Sequence, residues 1–95
     1  MMPAEIQLPT LPPPSVLLDR MARQIYEAQA LVRGLTARQQ QVMVMMAAGK
    51  SSKQIARQLG LEIKTVERHR YALMVRLGVE KNTDVAVLAV KAGIV

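Results

Sequence analysis

Two predicted helices meet within residues 51–79, which read SSKQIARQLGLEIKTVERHRYALMVRLGV. The first helix begins at Ser51 or Ser52, both good N-cap residues, and ends at Gly60. The second runs from about residue 63 to 77 and is closed by Gly78. Two short helices joined by a glycine-containing turn, the second longer and basic, are typical of a helix-turn-helix. We therefore predict a helix-turn-helix motif over residues 52–71.

The second helix of this motif has two chemically different faces. At 100° per residue, Val66, Leu73 and Leu77 fall on one side, flanked by His69 and Arg70. This apolar stripe is expected to face the core. The opposite side carries long polar side chains that can reach base edges in a major groove. The residues on that side are Lys64, Glu67, Arg68, Tyr71 and Val75.

A helix with a heptad seam is predicted before the motif. It begins at Ser15 as N-cap and reaches about Arg33, just before Gly34. Its seam spans about two heptads, too short for a stable coiled coil alone. We favour packing of this helix on its own domain and keep open a dimer formed through it. The seam residues are Leu18, Met21, Ile25, Ala28 and Val32.

Two more helices complete the chain. One starts with a capping box made by Thr36 and Gln39 and ends at Gly49. The last is capped by Asn82, runs from about residue 83 and ends at Ala92. No stretch alternates between apolar and polar residues, so the predicted fold class is all-α.

The chain divides into three predicted parts. Residues 1–14 hold all five prolines and are expected to form an extended, flexible arm. Residues 15–33 form the N-terminal helix, and residues 34–95 form one helical domain. With 95 residues and 51% hydrophobic content, a single packed domain is expected.

The net charge of +6 lies entirely in the predicted helical domain. Of thirteen basic and seven acidic residues, three of each precede residue 34, which leaves ten basic against four acidic residues after it. Such a block indicates a polyanionic partner, with nucleic acid first and an anionic membrane second. Two tyrosines and no other aromatics argue against base stacking as the main binding mode.

Composition excludes several classes of protein. The chain has no cysteine, so disulfides, iron–sulfur clusters and cysteine zinc sites are ruled out. The longest apolar run, residues 42–48, is far too short for a membrane span, and no secretion signal pattern is present. We expect a cytoplasmic protein that does not bind a membrane.

Enzymatic and metal-binding functions gain no support from the sequence. Gly49, Lys50 and Ser51 suggest a phosphate loop, but that motif needs glycine where Val44 stands, and no strand precedes it. His69 is the only histidine and has no partner ligand for zinc. No nucleophile and base form a pair, so we predict no enzyme activity, no metal and no cofactor.

Residues 35–95 resemble the LuxR/NarL-type, GerE-like helix-turn-helix domain of bacterial transcription regulators. The matching motifs continue without a gap over about sixty residues. They are Leu35-Thr36-x-Arg38, Gly49-x-Ser51, Lys53-x-Ile55-Ala56, Leu59-Gly60, Lys64-Thr65-Val66-x-x-His69-Arg70, Leu77-Gly78-Val79 and Thr83-Asp84.

The resemblance implies a four-helix bundle that binds double-stranded DNA as a transcriptional regulator. The helix over residues 63–77 would enter the major groove, and the last helix would pair two protomers. Members usually carry a sensor domain before this module, and residues 1–33 cannot form one, so control is expected through expression level or a partner. The residues carried over as base contacts are Glu67, Arg68 and Tyr71, and those carried over as backbone contacts are Ser52, Lys53, Lys64, Thr65, His69 and Arg70.

Several positions depart from the family pattern. Glu62 stands where a serine N-cap is frequent, so the first turn of the recognition helix, residues 63–77, is expected to be less stable. Glu67 places an acid where many members have lysine, which weakens phosphate attraction but allows a bond from cytosine N4. Ser52 replaces the usual asparagine, and Gln39 and Gln54 replace glutamates; these changes should be tolerated.

The last helix is apolar around most of its circumference. Val85, Leu88, Ala89 and Ala92 are expected to close the core. The remaining apolar residues then predict a homodimer contact, unless the N-terminal helix folds back over them. These residues are Ala86, Val87 and Val90.

A second function class stays open beside the DNA-binding regulator. The same fold could serve as a small antagonist or co-regulator that pairs with RNA polymerase or a full-length regulator. The polar stripe on the recognition helix argues for DNA, because a protein antagonist has no need of it.

Overall fold

The computed structural model describes residues 10–95, which form five helices and no strand. The predicted all-α class is confirmed. A bundle of four helices, α2 to α5, follows the longer α1. The helices are α1 Pro14–Arg33, α2 Ala37–Ala47, α3 Ser52–Leu59, α4 Ile63–Leu77 and α5 Asn82–Ala92.

Reciprocal capping boxes start α2 and α3. Thr36 Oγ1 accepts from the backbone N–H of Gln39 at 3.1 Å, and Gln39 Oε1 accepts from the backbone N–H of Thr36 at 3.0 Å. Ser51 and Gln54 make the same pair of bonds at 3.2 and 2.8 Å. Each box satisfies two N–H groups that a helix start leaves unpaired. Ser51, rather than Ser52, is therefore the N-cap of α3.

Glycines end α3 and α4 in the left-handed conformation. Gly60 has φ 67° and Gly78 has φ 70°, a region that side chains with a Cβ rarely adopt. The next residue folds back in each case, with the Leu61 N–H donating to Ala56 O at 2.9 Å. The turn of the helix-turn-helix is fixed by this geometry.

The starts of α1 and α5 differ from the sequence prediction. Ser15 does not cap α1: the helix begins at Pro14, whose fixed φ suits the first turn. Asn82 does not cap α5 either, since it is the first helical residue and Lys81 precedes it. Its side-chain Nδ2 donates instead to Met46 O at 3.4 Å, which ties α5 to the end of α2.

The structure describes only part of the predicted proline-rich arm. Residues 1–9 lie outside the described part of the chain. Residues 10–13 are not helical, as expected, whereas Pro14 belongs to α1.

All five helices and the α1–α2 junction contribute to one core. The stripe predicted on α4 is buried, and so are Met43 and Met46 of α2. Met45 and Met74 are half-buried against that core. The buried apolar residues are Ala28, Val32, Leu35, Val42, Met43, Met46, Ile55, Ala56, Val66, Leu73, Leu77, Val85, Ala89 and Ala92.

Only the C-terminal end of α1 packs on the domain. Ala28 and Val32 are buried, and Gln40 Nε2 donates to Val32 O at 3.0 Å across the α1–α2 junction. Further toward the N-terminus, Leu18, Met21 and Ile25 are exposed. The expectation that α1 packs along its seam on its own domain therefore holds for the last two seam residues and is wrong for the first three.

Candidate nucleic-acid interface

The two helices of the helix-turn-helix are joined by a direct side-chain bond. Arg70 Nη1 on α4 donates to Ser52 Oγ, at the first residue of α3, at 2.6 Å. Ile55 and Ala56 bury the inner face of α3. The angle between α3 and α4 is therefore held by core packing and by one polar contact at the domain edge.

The outward face of α4 is an exposed stripe, as predicted. Its core-facing residues are fully or almost fully buried, which fixes the helix rotation and directs the opposite face to solvent. Tyr71 is 74% exposed and Val75 62% exposed. The exposed residues of the stripe are Lys64, Glu67, Arg68, Tyr71 and Val75.

The nine predicted DNA contacts do not share one environment. Lys53 on α3 and the four on the α4 stripe are exposed, whereas Thr65, His69 and Arg70 are half-buried at its margin. Ser52 is only 9% exposed, and its hydroxyl already accepts from Arg70. Eight of the nine therefore present surface to a ligand, and Ser52 mainly contacts its own domain.

The first turn of α4 lacks a side-chain cap. Glu62 occupies the N-cap position and its carboxylate makes no capping bond, in agreement with the expectation of a less firmly held start. Its carbonyl accepts from the N–H groups of Thr65 and Val66, both at 3.1 Å. The helix dipole places a partial positive charge at the start of α4, close to Lys64 in the chain. Both charges favour binding of an anion there.

One basic residue beside the interface was missed by the sequence reasoning. Arg57 is exposed and follows Lys53 by four positions, so both lie on one face of α3. The four-residue spacing from Lys53 would have predicted this position from the sequence. Lys50, just before α3, differs because its Nζ donates to Gln58 Oε1.

An apolar strip on the surface of α5 is exposed to solvent in the single chain. Val85, Ala89 and Ala92 are buried, and Leu88 is half-buried against the core, as expected. Val87 is 49% exposed and Val90 65% exposed, so α1 does not cover them. Together with Ala86 and Lys91 they line a shallow depression.

Residues 10–95 contain neither a metal-binding cluster nor a membrane-spanning helix. No group of three or more acidic or histidine side chains is placed to hold a metal ion in this part of the chain. None of the five described helices combines the length and hydropathy that crossing a bilayer requires.

Comparison with known proteins identifies relatives of the helix-turn-helix region. The family profile described as "GerE: Bacterial regulatory proteins, luxR family" matches residues 33–89. Transcriptional regulatory protein UhpA of Escherichia coli (strain K12) is 46% identical over 52 residues, 55% of this chain and 26% of UhpA. Transcriptional activator protein ExaE of Pseudomonas putida is 35% identical over 65 residues, 68% of this chain and 30% of ExaE.

A third relative shows the same extent of similarity. Transcriptional regulatory protein TdiR of Thauera aromatica is 39% identical over 54 residues, 57% of this chain and 24% of TdiR. The chain therefore spans about a quarter of the length of UhpA and of TdiR, and 30% of ExaE.

Proposed function

The chain belongs to the luxR family of bacterial regulatory proteins, and on that basis we propose that it is a sequence-specific DNA-binding transcriptional regulator. The observation that carries this proposal is the exposed stripe of α4, set opposite its buried apolar face. A major groove about 12 Å wide admits one α-helix, and a rigidly oriented helix can present its outer side chains to base edges.

The α4 stripe supplies groups suited to reading bases. Arg68 can donate two bonds to guanine O6 and N7, the commonest specific contact in the major groove. Glu67, one residue earlier, can accept from cytosine N4. Tyr71 lies one turn beyond them and adds a hydroxyl and an apolar ring edge. We assign base contacts to these three residues.

Positive groups around the stripe suit the sugar–phosphate backbone. Lys53 on α3 and Lys64 on the first turn of α4 are exposed, and we assign them to phosphates. Thr65, His69 and Arg70 line the margin of α4 and would bind the same strands. Phosphate contacts fix the position of the protein on the duplex without selecting sequence.

Ser52 enters this proposal in a modified role. Because its hydroxyl accepts from Arg70 and its side chain is buried, its main contribution is to hold the Arg70 guanidinium at the domain edge. A guanidinium has five N–H donors, so Arg70 keeps donors for a phosphate.

We also propose that the protein acts as a homodimer through α5. Ala86, Val87 and Val90 form an apolar strip that two copies can bury against each other. Small oligomers usually pair identical surfaces about a two-fold axis. Two recognition helices would then read related half-sites about one helical turn apart, roughly 10 bp centre to centre. This function needs no catalytic residue and no cofactor, and places the protein with the chromosome in the cytoplasm.

The test is selection of bound fragments from a pool of genomic DNA, followed by competition with a scrambled duplex of the same length. A regulator should enrich fragments that share one sequence and bind it at least about 10³-fold more tightly than the scrambled duplex. Equal binding to both duplexes would contradict the proposal. A tight complex with RNA polymerase or another regulator, in the absence of sequence preference, would support the antagonist instead.

A further inference from the structure

The N-terminal half of α1 carries an apolar seam that no described part of the chain covers. Leu18 is 64% exposed, Met21 58% and Ile25 43%, whereas Ala28 and Val32, next on the same seam, are buried. The seam therefore changes from core to surface along one continuous helix. Residues 14–25 form about three turns, a length at which a helix without packing partners is marginal in water.

From this seam we infer that the exposed half of α1 is a dimerisation surface, occupied by α1 of a second copy of this chain. The seam follows the 3, 4, 3, 4 spacing with which two helices pack together. The inference goes beyond the proposed DNA reading and does not depend on it, because it concerns association of the free protein.

The charges on α1 favour a second copy over other occupants. Two acidic and three basic residues give α1 a net charge of only +1. A nucleic acid or an anionic membrane would require a basic surface, and α1 does not offer one. The charged residues are Asp19, Arg20, Arg23, Glu27 and Arg33.

None of these charges stands beside the seam. With Leu18 and Ile25 at position a of the heptad, the flanking e and g positions are all uncharged, so two identical helices meet without like-charge repulsion. Those flanking residues are Ser15, Leu17, Ala22, Gln24, Gln29 and Leu31.

The area that a stable dimer needs also points to α1. Stable interfaces bury about 800 Å² on each partner and involve roughly 20 residues or more a side. The α5 strip and the exposed α1 seam offer three apolar side chains each, so neither reaches that size alone. The C-terminal end of α1 packs on α5, so the exposed seam of α1 lies on a helix next to the α5 strip. The seam therefore adds to the apolar surface that α5 offers to a second copy.

Sedimentation equilibrium of the full chain without DNA tests the inference. We expect the triple variant Leu18→Gln, Met21→Gln, Ile25→Gln to raise the dimer dissociation constant more than about tenfold, because three large apolar side chains leave the contact. The matched control, Arg23→Gln with Glu27→Gln, changes the same helix off the seam, keeps its net charge and should leave the constant unchanged. A wild-type monomer at all concentrations, or a triple variant that dimerises like wild type, would overturn the inference.

A second measurement does not rely on weakening the contact. The chain has no cysteine, so Met21→Cys introduces a single thiol. Met21 is the middle one of the three exposed seam residues, and at position d of the heptad it lies opposite its own counterpart in a parallel pair of helices. Mild oxidation should link Met21→Cys into covalent dimers and leave Arg23→Cys monomeric, and equal yields from both variants would overturn the inference. Because both measurements omit DNA, their failure is distinguishable from a failure of the proposed DNA reading.

Discussion

Arg70 on α4 donates from Nη1 to Ser52 Oγ on α3 at 2.6 Å, across 18 residues of sequence. Ser52 is the first residue of α3, and Arg70 lies in the middle of α4. The bond therefore connects the start of the supporting helix with the helix proposed to read DNA. Its position at the margin of the interface makes it both a stability determinant and a positioning contact.

A double-mutant cycle on Ser52→Ala and Arg70→Ala should measure this contact. We expect Ser52→Ala to lower the free energy of unfolding by about 1 kcal/mol, because a part-buried guanidinium loses its acceptor. Arg70→Ala should cost roughly 1 kcal/mol less in the Ser52→Ala background than in wild type, because the bond is already lost there; urea denaturation measures this coupling. Independent, additive costs would show that the bond does not contribute to stability.

Arg68→Ala and Lys53→Ala should weaken DNA binding in different ways. Loss of the Arg68 base contact should cost about 1–3 kcal/mol on the selected duplex and little on a scrambled one. Loss of Lys53, placed beside the phosphates, should weaken binding to both duplexes about equally. Competition binding measures both effects. Equal losses on the two duplexes for Arg68→Ala would remove that residue from the base contacts.

Val90→Glu should separate the two copies at α5. The side chain is exposed in the single chain, so a carboxylate there is compatible with folding, but it would be desolvated between copies. We expect a folded protein with a raised dimer dissociation constant and much weaker binding to a two-half-site duplex. Thr83→Glu, exposed at the start of the same helix, adds the same charge away from the strip and serves as the control. Unchanged sedimentation of Val90→Glu would contradict the α5 contact.

Glu62→Ser should stabilise the protein. Glu62 is at the N-cap of α4 without a side-chain capping bond, and serine is among the best residues for that position. We expect the free energy of unfolding to rise by about 0.5–1 kcal/mol, measured by urea denaturation. Glu62→Ala removes the same carboxylate without adding a cap and should show no such gain. A serine variant no more stable than the alanine variant would rule out the capping explanation.

Local signals predicted the bundle helices well because the chemistry that sets their ends is local. The Thr36–Gln39 box and Gly60 define helix ends through contacts within three or four residues, and the structure places them where expected. Two predicted N-caps, Ser15 and Asn82, were wrong because other interactions determine those helix starts. Pro14 is preorganised for the first helical turn, so α1 starts before Ser15, and Asn82 donates to a carbonyl 36 residues away.

Periodicity predicted the faces of the helices but not how far each face is covered. The rotation of 100° per residue in an α-helix predicts the exposed α4 stripe and the buried face opposite it, and the structure confirms both. The α1 seam has equally regular spacing, yet only Ala28 and Val32 of its residues are buried. The burial of Ser52 depends likewise on Arg70, which is distant in sequence. A local sequence pattern cannot predict which part of a helix face is covered by elements that are distant in sequence.

The absence of charged residues beside the α1 seam gives the two proposed interfaces opposite responses to ionic strength. Affinity for DNA falls steeply as salt rises, because each phosphate neutralised by a basic residue releases condensed counterions. An apolar contact between seams without flanking charges loses nothing by screening, and the mutual repulsion of two domains with six excess positive charges each is reduced. Rising salt should therefore detach the protein from DNA as an intact dimer, so that assembly and DNA release are controlled by separate physical forces.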